Sequence, residues 1–368
     1  MGTQRLIALL GRRDEPTDAV EEYCRHLGAG LAPHGFQMDI RRVPWNERGW
    51  ASSLEALRLQ AESWRGTWVL VQYTALAWSS RGFPRRFLSA IRILCKAGAR
   101  IMVVYHDVDP FGGSRLIDRV RRSIQIKVMR DALSLADRAV FTVALDRMHW
   151  LPSPSEKSTF IPVGANLPFP IAEQQHVEPH PLPTIAIFSI TGGTPGERET
   201  RNIIAATRFA SGKLGALRLN VFGRHAEERE SALRKGLREV PVELQVQGVV
   251  DDANLIEQFA ASDVLLFVRG AVSSRRGSAI AGISCGLPVI ALQGEGTAAP
   301  ITDAGVLLVT DESNEAELQL KLGEALVRTL SDNALRAELV QRNRVAQERH
   351  FSWPAIAGRY AEILQSPD

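Results

Sequence analysis

Short apolar runs of five to eight residues recur along this chain, each followed by an amphipathic stretch. This alternation constrains the fold more than any other feature, because it is the order of βαβ units, parallel strands covered by helices. One series reads RLIALL (5–10), FQMDIRRV (36–43), TWVLVQY (67–73), ARIMVVYH (99–106), RAVFTV (138–143) and STFIPV (158–163). A second reads TIAIFSI (184–190), LRLNVFG (217–223), VELQVQG (242–248), DVLLFV (263–268), LPVIAL (287–292) and GVLLV (305–309). Between the two series, IAEQQHVEPHPLP (171–183) is polar and proline-rich without periodicity, as an interdomain linker is. The expectation is an α/β protein of two consecutive doubly wound domains, 1–172 and 184–352, joined by a linker at 173–183. A long helical pattern runs from Glu315 to His350, and Pro354 forbids its simple continuation into the last amphipathic segment.

A length of 368 residues suits two domains, each burying its own core. The first apolar run is too short for a signal-peptide core or a membrane span and reads as a strand. Cys24, Cys95 and Cys285 have neither an even number nor metal-ligand spacing, which fits a reducing cytoplasm. Charge is unevenly placed: from Arg81 to Arg130 there are twelve bases against three acids. Such a field attracts phosphate-rich partners or an anionic bilayer. Sparse aromatic interleaving and the lack of a recognition motif argue against nucleic acid.

Ligands of open parallel sheets bind beyond the carboxyl ends of strands. Four loops qualify. In SITGGTPGERETRN (189–202), Gly192 and Gly193 permit close backbone approach, and Arg198 and Arg201 can carry charge to a phosphate. In RGAVSSRRGSAIAGISCGLPVIA (269–291), the amides of Gly277 and Ser278 open a small-sided helix, and Arg275 and Arg276 add guanidinium groups that match phosphate oxygens. VVYHDVDPFGG (103–113) puts His106 at a strand end; its Asp107 and Asp109 form a D-x-D pair, but with no further ligand cluster nearby no metal is expected. In QGEGTAAPITDAG (293–305), Glu295 and Thr297 are candidates for a sugar or ribose hydroxyl.

In their order along the chain, VFGR (221–224), QGVVDDANLIEQFAASDVLLFV (247–268), SCGLPVIA (284–291), DAGVLLV (303–309) and the tail HFSWPAIAGRYAEIL resemble the GT-B glycosyltransferases, specifically the retaining family 4 type. The resemblance covers nearly the whole chain. It implies two Rossmann-like domains facing each other across a cleft, with the final helix, 353–368, packing back on the first domain. It also implies a nucleotide-sugar site in the second domain, with Gly223 and Gly248 in its strand-end loops. The family's two glutamates, seven residues between them, would fall at Ser273 and Ala281, and neither is acidic.

The function implied is transfer of a sugar, with retained anomeric configuration, from a UDP- or GDP-sugar to a glycan or lipid-linked acceptor in polysaccharide or glycoconjugate synthesis. The donor is a substrate, and no cofactor or metal is implied. His106, Arg198 and Arg275 take the catalytic roles; Gly192, Gly193, Arg201, Gly223, Gly248, Ser273, Arg276, Gly277, Ser278, Glu295 and Thr297 take the binding ones. The chain is expected in the cytoplasm, with peripheral contact at the inner face of an anionic membrane. The missing glutamates support an alternative, a catalytically inactive partner subunit of the same shape.

Overall fold

The structure, a computed structural model of the chain, describes residues 3–15, 17–151, 156–167, 181–312 and 314–366. The chain forms two compact units, Met1–Asn166 with Trp353–Asp368, and Leu167–Ser352. Positions 173–180 of the expected linker lie outside the described residues.

Unit 1 runs β1 (Gln4–Leu10), α1 (Ala19–Leu31), β2 (Phe36–Arg42), α2 (Trp45–Arg48), α3 (Trp50–Ala61), β3 (Trp68–Tyr73), α4 (Arg85–Ala97), β4 (Arg100–Tyr105), α5 (Leu116–Leu135), β5 (Arg138–Phe141) and β6 (Ser158–Phe160). Its sheet is parallel throughout, in the order β2-β1-β3-β4-β5-β6. Every residue of β3 is buried, as expected of an interior strand covered on both faces. The expected strand at 158–163 is only three residues long, and its pairing with β5 ends where the Ile161 N–H donates to the Phe141 carbonyl at 3.0 Å.

Unit 2 runs β7 (Thr184–Phe188), α6 (Gly193–Leu214), β8 (Leu217–Phe222), α7 (Ala226–Leu237), β9 (Val242–Val246), α8 (Asp252–Ala260), β10 (Val264–Ala271), α9 (Gly277–Ser284), β11 (Val289–Gln293), β12 (Val306–Thr310), α10 (Glu315–Ser331) and α11 (Asn333–Ala346). Strand order is β12-β11-β10-β7-β8-β9, again all parallel. The chain thus reverses its direction of sheet growth between β7 and β10. The single helical pattern of 315–350 is broken at Asp332, whose carboxylate accepts the N–H of Leu335 at 2.9 Å and starts a new helix.

The last helix, α12 (Trp353–Gln365), belongs to unit 1. It lies on α1, where the hydroxyls of Tyr23 and Tyr360 meet at 2.8 Å. Trp353 Nε1 donates to the Ala165 carbonyl at 2.7 Å, and the Trp68 indole donates to the Leu364 carbonyl at 3.3 Å. Each of these four buried aromatics therefore has a partner for its polar atom.

Candidate functional site

The reversal between β7 and β10 places two loops of unit 2 side by side at the carboxyl edge of the sheet, where such sheets hold their ligands. The loop after β7 is tied to the one after β8. Ser189, at φ 64°, accepts the Arg224 N–H on Oγ at 3.2 Å, and the Ile190 N–H donates to the Arg224 carbonyl at 2.9 Å. Gly223 lies at φ 95°, and a Cβ there would come within 2.6 Å of Ser189 Oγ, so only glycine permits this approach. Its N–H donates to the Gly248 carbonyl at 2.9 Å, which assigns Gly248 to bracing. Buried Glu199 on α6 accepts the Thr191 N–H at 2.8 Å and holds the first loop down.

The helices that follow the three adjacent strands β10, β7 and β8 are α9, α6 and α7, and none has a side-chain cap at its start. By contrast α8 and α10, which follow the two edge strands, are capped by Asp251 and Asn314. Without such caps, the starts of α6 and α9 suit an anion, whereas the first turn of α7 carries Glu227 and Glu228, which oppose one. A Cβ built on Gly193 or Gly277 meets nothing within 4 Å, so the space in front of α6 and α9 is open.

One arginine, Arg269, is held at this edge. Arg269 sits in a bulge of β10, between Phe267 and Ala271, with Gly270 turned to φ 73°. Its guanidinium reaches Ser278 Oγ at 3.5 Å, and among the described residues its buried Nε has no hydrogen-bond partner. Burial lowers its pKa from the usual arginine value; Glu199 opposes the shift and the positive charge of Arg224 adds to it. The buried Arg269 guanidinium thus senses both the Glu199 carboxylate and the positive charge of Arg224. A phosphate oxygen entering here could accept the Arg269 Nε–H.

The other expected site residues are distributed differently. Arg198 pairs with Asp311 at 3.0 Å and Arg201 with Glu315 at 2.7 Å, both on the exposed side of α6 that faces α10. Their guanidinium groups are paired with carboxylates of the loop after β12 and of the first turn of α10. The Arg276 guanidinium donates to the Ala271 carbonyl at 3.3 Å and so braces the bulge. Arg275 is partly exposed. The Gly277 amide is not unpaired as expected, because a tight turn directs it to the Arg275 carbonyl at 3.2 Å. Ser273 and Ala281 are buried, and no acid replaces the paired glutamates there. Thr297 does not present a free hydroxyl either: its Oγ1 donates to the Val272 carbonyl at 2.6 Å and accepts the Gly294 N–H at 3.0 Å. Glu295 is exposed. Gly192 lies against the His225 ring, where a Cβ would come within 3.1 Å.

In unit 1, His106 follows β4 and its N–H donates to the Tyr73 carbonyl at 3.0 Å. Its Nε2 is 2.8 Å from Gln72 Oε1, and the Gln72 amide nitrogen donates to the Leu70 carbonyl at 3.2 Å. With the amide so oriented, Nε2 carries the proton and Nδ1 the lone pair. Burial pushes the His106 pKa down to about 4, against a weak opposing pull from Asp18. The ring is thus neutral at pH 7. Asp107 accepts the Ala75 N–H at 2.8 Å and fixes the neighbouring loop.

No family model matches the chain. A stretch of 143 residues is 30% identical to part of the GDP-mannose-dependent monoacylated alpha-(1-6)-phosphatidylinositol monomannoside mannosyltransferase of Corynebacterium glutamicum; it spans 37% of this chain and 36% of that protein, about a third of its length. Among solved structures, HepE of Anabaena in complex with UDP and glucose aligns with a TM-score of 0.68 over 99% of this chain and 100% of its own, at 14% identity. A glycosyltransferase from Rickettsia africae aligns with a TM-score of 0.66 over the whole of both chains, also at 14% identity. The chain has the GT-B fold. At such identities the likeness concerns architecture, and function rests on the site.

Proposed function

We propose that this chain transfers a sugar from a nucleoside diphosphate sugar to a glycan or lipid-linked acceptor, with the diphosphate held in unit 2 beyond β7, β8 and β10. One observation carries the reading: the guanidinium of Arg269 lies in the β10 bulge against Ser278 at the uncapped start of α9, and its buried Nε has no hydrogen-bond partner among the described residues. Breaking the bond between the anomeric carbon and the diphosphate leaves negative charge on the departing phosphate. Guanidinium and N–H groups already in place stabilise that charge without reorganising. The acceptor hydroxyl attacks from the face the diphosphate leaves, so configuration is retained, and the phosphate oxygen takes its proton. His106, as a neutral imidazole, is suited to a sugar hydroxyl. The reaction so drawn needs no metal or other cofactor.

The donor is proposed to be a UDP- or GDP-sugar. The Anabaena structure holds UDP and glucose, and the Corynebacterium relative is GDP-mannose-dependent. Unit 1 is proposed to take the acceptor, with the chain in the cytoplasm and in peripheral contact with the inner face of an anionic membrane. Among the described residues no helix is long and apolar enough to cross a membrane. The test is thermal unfolding with UDP, GDP, ADP and dTDP. A ligand at about one hundred times its Kd stabilises by about 2.7 kcal/mol, or several degrees in midpoint. One nucleotide family should give this shift, and R224A and R269A should each diminish it; no shift from any nucleotide overturns the reading.

A second reading is favoured by the buried Ser273 and Ala281, which offer no carboxylate to a donor sugar or ribose. On it the chain keeps the shape and serves as an inactive partner. Slow hydrolysis of the donor that gives a thermal shift would exclude that reading, and binding without any turnover would favour it.

A further inference from the structure

Among the described residues nine large apolar side chains are exposed, and four of them, Phe111, Leu116, Ile117 and Val120, fall within ten consecutive positions. Leu116 is the extreme, at 78% exposure on the first turn of α5. Leu116, Ile117 and Val120 share one side of the first two helical turns. Such a cluster is costly in water unless something covers it.

The cluster is set among positive charge. Arg115, Arg119 and Arg122 are exposed, and among the described residues no carboxylate pairs with them. Asp118, within the same turns, is buried and pairs with Arg121 at 2.8 Å. Between positions 107 and 130 one acid, Asp109, is exposed. The surface is also held in place. Gln125 accepts the Phe111 N–H at 2.6 Å and donates to the Gly82 carbonyl at 2.9 Å, joining the loop before α5 to the loop before α4. The Arg121 guanidinium lies 4.4 Å from the centre of the Phe111 ring and donates to the Arg81 carbonyl at 2.9 Å.

We propose that this face of unit 1 docks on an anionic lipid bilayer, with Phe111, Leu116, Ile117 and Val120 entering the boundary between headgroups and acyl chains. Arg115, Arg119 and Arg122 then meet lipid phosphates while their aliphatic stems lie along the apolar side chains. The inference rests on the membrane contact proposed above, and it names the face and adds insertion to attraction. Charge alone would suit any polyanion; the aliphatic side chains favour a bilayer, since a nucleic acid backbone offers them nothing.

The experiment is sedimentation of the full chain with vesicles of phosphatidylcholine, with or without about a third phosphatidylglycerol. The chain should partition to the anionic vesicles and less so as salt rises. L116S/I117S should lower the partition by about tenfold or more, and R119S/R122S by about fivefold per charge removed. These side chains are exposed, so unchanged circular dichroism and thermal midpoint verify folding. If the chain binds and both variants bind equally well, this face is wrong while a membrane contact through another stands. If L116S/I117S binds normally and RNA displaces the chain from vesicles, the face is a polyanion site and insertion is wrong. Absence of binding to either vesicle overturns the membrane contact and this inference together.

Discussion

Replacing Arg269 with methionine should have effects of opposite sign on the empty and the liganded protein. Methionine keeps the aliphatic stem in the β10 bulge and removes the charge. In the wild type a buried, unpartnered Nε–H costs about 1–3 kcal/mol, and repulsion from Arg224 adds to it. Against this, the variant loses a weak 3.5 Å contact with Ser278 and an attraction to Glu199. The balance favours the variant by about 1 kcal/mol, which for a unit of this size raises the unliganded midpoint by about 2–4 °C. A hydrogen bond between a guanidinium and a phosphate contributes about 1.5–3 kcal/mol, so nucleotide affinity should fall by about ten- to a hundredfold. Differential scanning calorimetry without ligand and titration calorimetry with it read the two quantities. A variant less stable than the wild type that binds nucleotide equally well would refute the reasoning, because Arg269 would then be a structural brace.

Other expectations follow from single contacts. Gly223→Ala should destabilise by about 2 kcal/mol or more, since it strains a left-handed residue and drives a methyl into Ser189 Oγ; a urea midpoint within error of the wild type would contradict it. His106 has a folded pKa of about 4 against an ordinary 6.5, so the unfolded chain binds the extra proton first. Stability should therefore fall as pH drops from about 6.5 to about 4, by up to about 3 kcal/mol, and H106N should flatten that slope; parallel profiles would show that burial is not the cause. Y23F or Y360F alone should cost about 1–2 kcal/mol by stranding a buried hydroxyl, whereas the double variant should cost little more than either; simple additivity would deny the coupling between α1 and α12. Arg201→Ala should leave the nucleotide-induced thermal shift intact, since Glu315 already occupies that guanidinium; loss of the shift would restore Arg201 to the site.

The strands of both units are legible in the chain because apolar runs such as TWVLVQY and DVLLFV are what interior parallel strands require. The site is legible only in part. Both loops at the β7 and β10 ends follow from strand ends and glycines alone. Arg269 does not, because the apolar run stops at Val268 and the bulge that turns the next side chain inward is a property of register against β11. Arg224 stood within a strand-end motif, VFGR, but its charge gains meaning only once β8 is known to lie beside β7. The partners of Arg198 and Arg201 are hidden for the converse reason. Their spacing puts them on one face of α6, and the carboxylates that take them up come from Asp311 and Glu315, more than a hundred residues on. Asp332 likewise reads as one more polar position in a long helical pattern until its carboxylate is seen capping a second helix.

The most direct measurement is a crystal structure of the chain with the nucleoside diphosphate that gives the largest thermal shift. The account predicts its phosphate oxygens about 3 Å from the guanidinium groups of Arg224 and Arg269, before the N-termini of α6 and α9. A nucleotide bound elsewhere, or a diphosphate held by Arg198 and Arg201 with both of the other arginines turned away, would contradict it.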